Sequence, residues 1–415
     1  MYRRLIKHAA AAALALLCCG VAAAGDLMLS AAAGELWKAS RKELGSGVLA
    51  GAKGSRVDDK TIRLVGNRNL TVAGFAPNDI SLTWDDAKEH LVKVETTTYN
   101  KGDNSPLDKS EFEQGVKMAI DTVTTIMESK PTVPKIGQKD AGVKPRAWVW
   151  ESGACAVLLE AYSTGAGKRY SAEFIRLTIA PDKEGLKRGG ANDAARRTEL
   201  KSNVCKDKDG TVWIKGIPMV DQGEKGYCVP AAISRVFAYY NMDGVDQHAL
   251  AALCKSTGEE GTTIEGMSKA LSSICSKFHM SPVSWRWVNE KNVEKEYIKR
   301  AQKAGMLSSR LDPKLLLEAV KAKPAMIKKG FKDIRRYIDD GIPVVWGVVL
   351  GIYPEQGIPI PQAAGGHMRL IIGYNEQLQV ILYSDSWGAG HEVKQMPLAQ
   401  ACAISKVLYV LRPMR

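Results

Sequence analysis

Long apolar runs are scarce in this chain: the leading one, Ala9 to Leu17, falls well short of the roughly 20 residues a membrane-spanning helix needs. Close pairs of cysteine and histidine are missing too, which excludes a closed zinc site. No zinc-finger spacing, RGG tract or basic-aromatic strand is present, so a nucleic-acid partner is not expected. No cofactor or metal is expected, and no internal repeat appears. Hydrophobic residues at 45% and charged residues at 25% are ordinary for a folded soluble protein, which sets aside a disordered chain. At 415 residues the length predicts two domains.

What is present begins with a leader. Arg3, Arg4 and Lys7 form a positive start, the apolar run follows, and Ala22-Ala23-Ala24 before Gly25 suits a signal peptidase. Residues 1–24 therefore read as a signal peptide, with the protein exported to the periplasm or outside the cell. A lipid anchor at Cys18 or Cys19 fits less well, because Leu17 or Cys18 would stand where a small residue is usual.

Losing Arg3, Arg4 and Lys7 takes the formal charge from +13 to +10, so the mature chain stays basic. An anionic cell envelope is a candidate partner, although basic and acidic residues interleave almost everywhere and a solvated surface explains the balance as well. Oligomeric state is not legible. Six cysteines lie beyond the leader: Cys155, Cys205, Cys228, Cys254, Cys275 and Cys402. In an oxidising compartment three disulfides are conceivable. A working thiol at Cys228 leaves an odd number, and Cys254 with Cys275 is the expected bridge.

Residues 25–181 read as a mixed α+β domain of unassigned role. Strands are predicted at Thr61 to Val65, Leu70 to Phe75, Ile80 to Trp84, Arg146 to Trp150, Cys155 to Tyr162 and Tyr170 to Ile179, with a helix from Ser110 to Met127. Trp148 and Trp150 alternate as core residues of a half-buried strand do. Residues 182–211 are polar, basic and Gly-containing, the composition of a linker. The second domain occupies 212–415.

Chemistry concentrates in two stretches of that second domain. In GIPMVDQGEKGYCVPAAISRVFAYYN, from Gly216 to Asn241, a polar loop passes into an apolar helix that starts at Cys228. Pro230 suits the first turn, and the positive helix end favours the thiolate, the nucleophilic form. Gln222, six residues earlier with Gly223 and Gly226 between, is a candidate oxyanion donor beside the Cys228 N–H. The second stretch is a strand, GGHMRLIIGYN from Gly365 to Asn375, then VILYSDSWGAG from Val380 to Gly390. His367 sits at the rim of the first strand and Asp385 at the end of the second, where a hairpin brings them together. Each residue alone has a bland explanation; the four in this order supply nucleophile, base, orienter and oxyanion donor for acyl transfer.

The DQG, GYCVPAA, GGHMRLIIGYN and DSWG segments resemble the C39-like peptidases of the papain-like superfamily over roughly residues 216–412. The resemblance implies an α+β fold in which the helix carrying the nucleophile packs on an antiparallel sheet. It gives Cys228 the nucleophile role, His367 the base role, Asp385 the orienting role and Gln222 the oxyanion role, with Trp387 shielding the His–Asp pair. Gly226, Tyr227, Gly366 and Trp387 are the expected cleft residues, and a peptide or protein the expected substrate. The cathepsin-type CGSCW signature is absent, and no transporter membrane region accompanies the domain, so papain specificity and leader-peptide trimming are not carried over.

Around the site, helices are predicted from Thr262 to Ile274 and from Phe331 to Asp340, then a buried strand from Ile342 to Leu350. The segment GIYPEQGIPIPQAAGG reads as a loop beside the cleft. Two other readings stay open: transglutaminase-like acyl transfer, and a non-catalytic binding module in which Cys228 is packed or disulfide-bonded. The first domain fits a propeptide, a partner-binding module or a substrate selector equally well.

Overall fold

The computed structural model describes residues 25–52, 54–65, 70–134, 143–187, 195–223, 226–242, 245–257, 261–288, 290–306, 311–355 and 365–414. The expected signal peptide and most of the GIYPEQGIPIPQAAGG loop lie outside the described residues. The protein is α+β, as the sequence implied, and the chain divides into two compact units. Residues 1–190 form the first together with 221–227 and 243–263; the second comprises 191–220, 228–242 and 264–415.

The first unit is built on a seven-stranded antiparallel sheet in the order β1-β2-β3-β4-β7-β6-β5. Its strands are β1 (Gly54–Arg56), β2 (Thr61–Val65), β3 (Asp79–Trp84), β4 (Leu91–Asn100), β5 (Arg146–Glu151), β6 (Ala156–Thr164) and β7 (Ser171–Ala180). Against it lies helix α1 (Lys109–Met127), which buries Phe112, Val116, Ala119, Val123 and Met127, the stripe at spacings of three and four that the sequence displays. A reciprocal capping box starts it, with Glu111 N donating to Asp108 Oδ1 at 2.8 Å and Asp108 N to Glu111 Oε2 at 3.0 Å. Trp150 is buried in the core and its indole N–H donates to Thr124 Oγ1, whereas Trp148 is only half-buried beneath Arg146.

One predicted strand of this unit is absent. Leu70 to Phe75 folds as a tight turn closed by paired backbone bonds between Val72 and Phe75, with Ala73 and Gly74 at positive φ. The cause lies far away in sequence: the Asp26 carboxylate accepts from Thr71 Oγ1, Ala73 N and Gly74 N. The same carboxylate also accepts from Met28 N and Leu29 N, capping the helix Leu27–Ala32.

The second unit carries a mixed-order antiparallel sheet, β10-β15-β11-β12-β13-β14, with β9 joined to β12 and β8 to β9. The strands are β8 (Val204–Lys206), β9 (Thr211–Ile214), β10 (Met280–Trp285), β11 (Val344–Leu350), β12 (Gly365–Asn375), β13 (Val380–Ser384), β14 (Lys394–Pro397) and β15 (Ser405–Pro413). Within the polar segment 182–211, Arg197–Leu200 is a short helix and β8 pairs with β9. A register shift between Ile371 and Gly373 accompanies the pairing of β12 with β9 as well as β13. Gly373 permits it, since a Cβ there would stand 2.5 Å from the Val212 carbonyl oxygen.

Helix α2 (Cys228–Tyr239) packs on β12 and is buried over nearly its whole length. Two predicted helix starts move. The helix expected from Phe331 begins at Pro324, whose fixed φ suits a first turn, and runs to Asp339. The one expected from Thr262 spans Ile264–Lys277.

Candidate active site

Three elements of the second unit converge. Helix α2 begins at Cys228, so the part-buried thiol lies at the end where free N–H groups and the helix dipole favour an anion. His367 stands near the start of β12, opposite Val348 of β11. Asp385 follows the last residue of β13, and the β12–β13 pairing brings its side chain back to the histidine.

The contacts are buried. His367 Nε2 lies 2.8 Å from Asp385 Oδ1, and because a carboxylate only accepts, the imidazole is the donor. The imidazole also shares a hydrogen bond with the Cys228 thiol. His367 is 7% exposed and Asp385 fully buried. The Trp387 ring stacks on the His367 ring, centroids 4.6 Å apart and planes 20° off parallel, covering the His–Asp pair.

Burial by itself would push the Cys228 thiol up; the bond to His367, the imidazolium charge and the amides of Met368 and Val229 outweigh it and bring the thiol down. For His367 burial pulls downward, and the bonds to Asp385 and Cys228 overcome it, so the imidazole holds its proton more tightly than usual. Asp385 resists its own desolvation through His367, Arg369 and Lys394, and its carboxyl is lowered to about 2. The three shifts, down for Cys228 and Asp385 and up for His367, all favour a thiolate beside an imidazolium.

Sequence reasoning missed the charges behind this trio. Arg369 Nε donates to the same Asp385 Oδ1 at 2.9 Å, and Lys394 Nζ is 3.4 Å from Oδ2. The Arg369 Nη atoms meet Glu355 at 3.1 and 2.8 Å. Arg235, buried in α2, donates to Pro218 O at 2.7 Å, Asp385 O at 2.7 Å and Ser384 Oγ at 2.5 Å, tying the cysteine's helix to the end of β13. Burial brings Arg235 down to about 10, still a cation at neutral pH. The signals were available: Arg369 falls two residues after His367 in a strand, hence on the same face, and Arg235 is a lone charge inside an apolar helix.

The other expected site residues fall differently. Gly366 is exposed at the head of β12. Gln222, Gly226 and Tyr227 belong to the first unit. Gln222 is buried there, and among the described residues its Oε1 has no hydrogen-bond partner. Tyr227 is a correction: at 1% exposure, with its ring against Gly102 and His248, its side chain is core and lines no cleft. The expected Cys254–Cys275 bridge is also corrected, since all six described cysteines are free thiols. Both of these are buried, and burial pushes each up to about 12.

A helix-borne thiol, a strand-borne imidazole and a buried carboxylate thus meet within the second unit of an α+β protein. Residues 214–406, just under half of the chain, match the family model described as the Peptidase_C39 like family. Among solved structures the chain is similar to xylellain, a cysteine protease from Xylella fastidiosa, at 14% identity and a TM-score of 0.26, with 55% of this chain and 99% of that one covered. No curated protein matches the chain.

Proposed function

We propose that the protein hydrolyses peptide bonds, with Cys228 as nucleophile, His367 as base and Asp385 as the residue that orients it. The observation that carries this reading is the unbroken line from the Cys228 thiol through the His367 imidazole to Asp385 Oδ1. His367 takes the thiol proton, the thiolate attacks the substrate carbonyl, and the imidazolium returns the proton to the leaving amine; water then releases the acyl-enzyme. The N-terminal N–H groups of α2 are available to the developing oxyanion. The oxyanion role of Gln222 rests on its six-residue spacing from Cys228 and on the family resemblance. Export by the leader and contact with an anionic envelope belong to the same proposal, and rest on the charge pattern of the sequence.

The free state of Cys228 favours this reading over a module whose cysteine is locked in a disulfide. The test is to incubate the protein with a peptide library under mild reductant, beside Cys228→Ala. The expected result is cleavage and thiol-probe labelling of residue 228 in the wild type and neither in the variant. Cleavage retained by Cys228→Ala would end the proposal, and incorporation of amines in place of water would move it to acyl transfer.

A further inference from the structure

The hydrogen bonds of the site end in a place the reaction itself does not require. Asp385 Oδ1 takes two donors, His367 Nε2 and Arg369 Nε, at 2.8 and 2.9 Å. Arg369 is fully buried; its Nη1 donates to Glu355 Oε1 at 3.1 Å, and its Nη2 stands 2.8 Å from Glu355 Oε2 as an ion pair without hydrogen-bond geometry. Glu355 in turn accepts from the Tyr383 hydroxyl at 2.5 Å. The guanidinium is also wedged against aromatic faces, 4.7 Å from the Tyr383 centroid and 5.7 Å from that of Trp387. A planar fork held on three sides cannot turn, and neither can the carboxylate oxygen it grips.

We infer that Arg369 and Glu355 act as a positioning pair, holding Asp385 in line with His367 and balancing the charge behind the imidazole. The inference rests on the proposed reading in taking Cys228 and His367 as the reactive pair. The charged and titratable groups around His367 are Cys228 and Arg235 on α2, Arg369 on β12, Glu355 after β11, Tyr383 and Asp385 at the end of β13, His391 and Glu392 in the loop that follows, and Lys394 on β14. Counting the inner set, Asp385 and Glu355 cancel Arg369 and Lys394. Deleting Arg369 alone leaves a buried excess of negative charge, and deleting Glu355 alone an excess of positive. A negative excess disfavours the thiolate and favours the imidazolium, which moves both ionisations to higher pH; a positive excess moves both lower.

The experiment uses the full chain as wild type, Arg369→Met, Glu355→Gln and the double variant. Alkylation of Cys228 by iodoacetamide is followed across pH by mass spectrometry of the peptide that contains it, so that the other thiols do not interfere. The expected result is that both limbs of the profile shift up in Arg369→Met, down in Glu355→Gln, and lie close to wild type in the double variant. In cleavage assays Arg369→Met is expected to lower kcat about 10- to 100-fold, the usual loss for an outer partner of a reactive group, with little change in KM. Arg369→Lys is expected to recover the position of the limbs but only part of kcat.

Limbs that stay put in both single variants, or move in the same direction, overturn the inference. Should Arg369→Met fail to fold, Glu355→Gln and the neutral double variant carry the same comparison. Opposite shifts without peptide cleavage by any form, wild type included, would uphold the pair and remove the peptidase reading.

Discussion

Each unit of this molecule contains a buried histidine paired with an aspartate that also holds an arginine, and only one of the two has the makings of an active site. In the first unit His248 Nε2 lies 3.3 Å from Asp79 Oδ2, and Arg63 Nη2 reaches the same oxygen at 3.0 Å. In the second, His367 and Arg369 share Asp385 Oδ1. The difference lies in what else the imidazole meets. His248 is packed edge-on against the Tyr227 ring and tilted against that of Phe174, and among the described residues its Nδ1 has no partner. His367 faces a thiol at a helix N-terminus. A buried His–Asp–Arg trio thus locks a ring in place in each unit, and the second unit's ring also meets a thiol.

The comparison can be broken by removing each histidine in turn. His367→Ala is expected to lower kcat/KM by about 10²- to 10⁴-fold, the range for a positioned acid–base group, and to slow Cys228 alkylation at neutral pH. His248→Ala is expected to leave that alkylation unchanged while costing about 1–3 kcal/mol in urea unfolding, as Asp79 loses a buried partner.

The acid limb of stability sharpens it. Asp385 is lowered to about 2 in the folded protein, below its ordinary carboxylate value, so its contribution is present above about pH 4 and lost as pH falls toward 2. Wild type is expected to exceed Asp385→Asn by about 2 kcal/mol near neutrality, with the gap closing over that window. Asp79 is also held low, Arg63 and His248 outweighing its burial, so the first unit adds to the same acid limb independently of Asp385.

Smaller effects follow. Gly102→Ala puts a methyl 2.5 Å from the Tyr227 ring, and is expected to lower thermal stability by about 1–3 kcal/mol. Trp387→Ala strips the stacked cover from His367; a pair worth about 0.5–1.5 kcal/mol predicts a loss in kcat/KM of about tenfold or less, with a narrower pH optimum.

The meeting of Cys228, His367 and Asp385 was legible because each member sits near an element boundary with a strong local signal: a loop running into an apolar helix at Cys228, and a β-hairpin joining His367 to Asp385. The charges that support it were legible only in part, through the two-residue spacing of Arg369 from His367 and the lone charge of Arg235 in an apolar helix. Arg369, Glu355 and Lys394 come from three separate segments, and nothing in spacing reveals that one carboxylate gathers two of them. The Leu70–Phe75 turn failed as a strand for a related reason, since β-prone side chains were overruled by a carboxylate more than forty residues upstream. Local pattern located the chemistry, and long-range polar contacts decided how it is held.

Tyr227, Asp246 and His248 lie within the family-matched stretch yet are buried among residues from the first half of the chain: Tyr227 beside Gly102, Asp246 on Arg176 at 2.9 Å, His248 on Asp79. A nick in the backbone near residue 190 is therefore expected to leave residues 221–227 and 243–263 still packed within the first unit. Cutting the family-matched region out by recombinant truncation would likewise strand these side chains in water, Tyr227 among them one residue from the thiol.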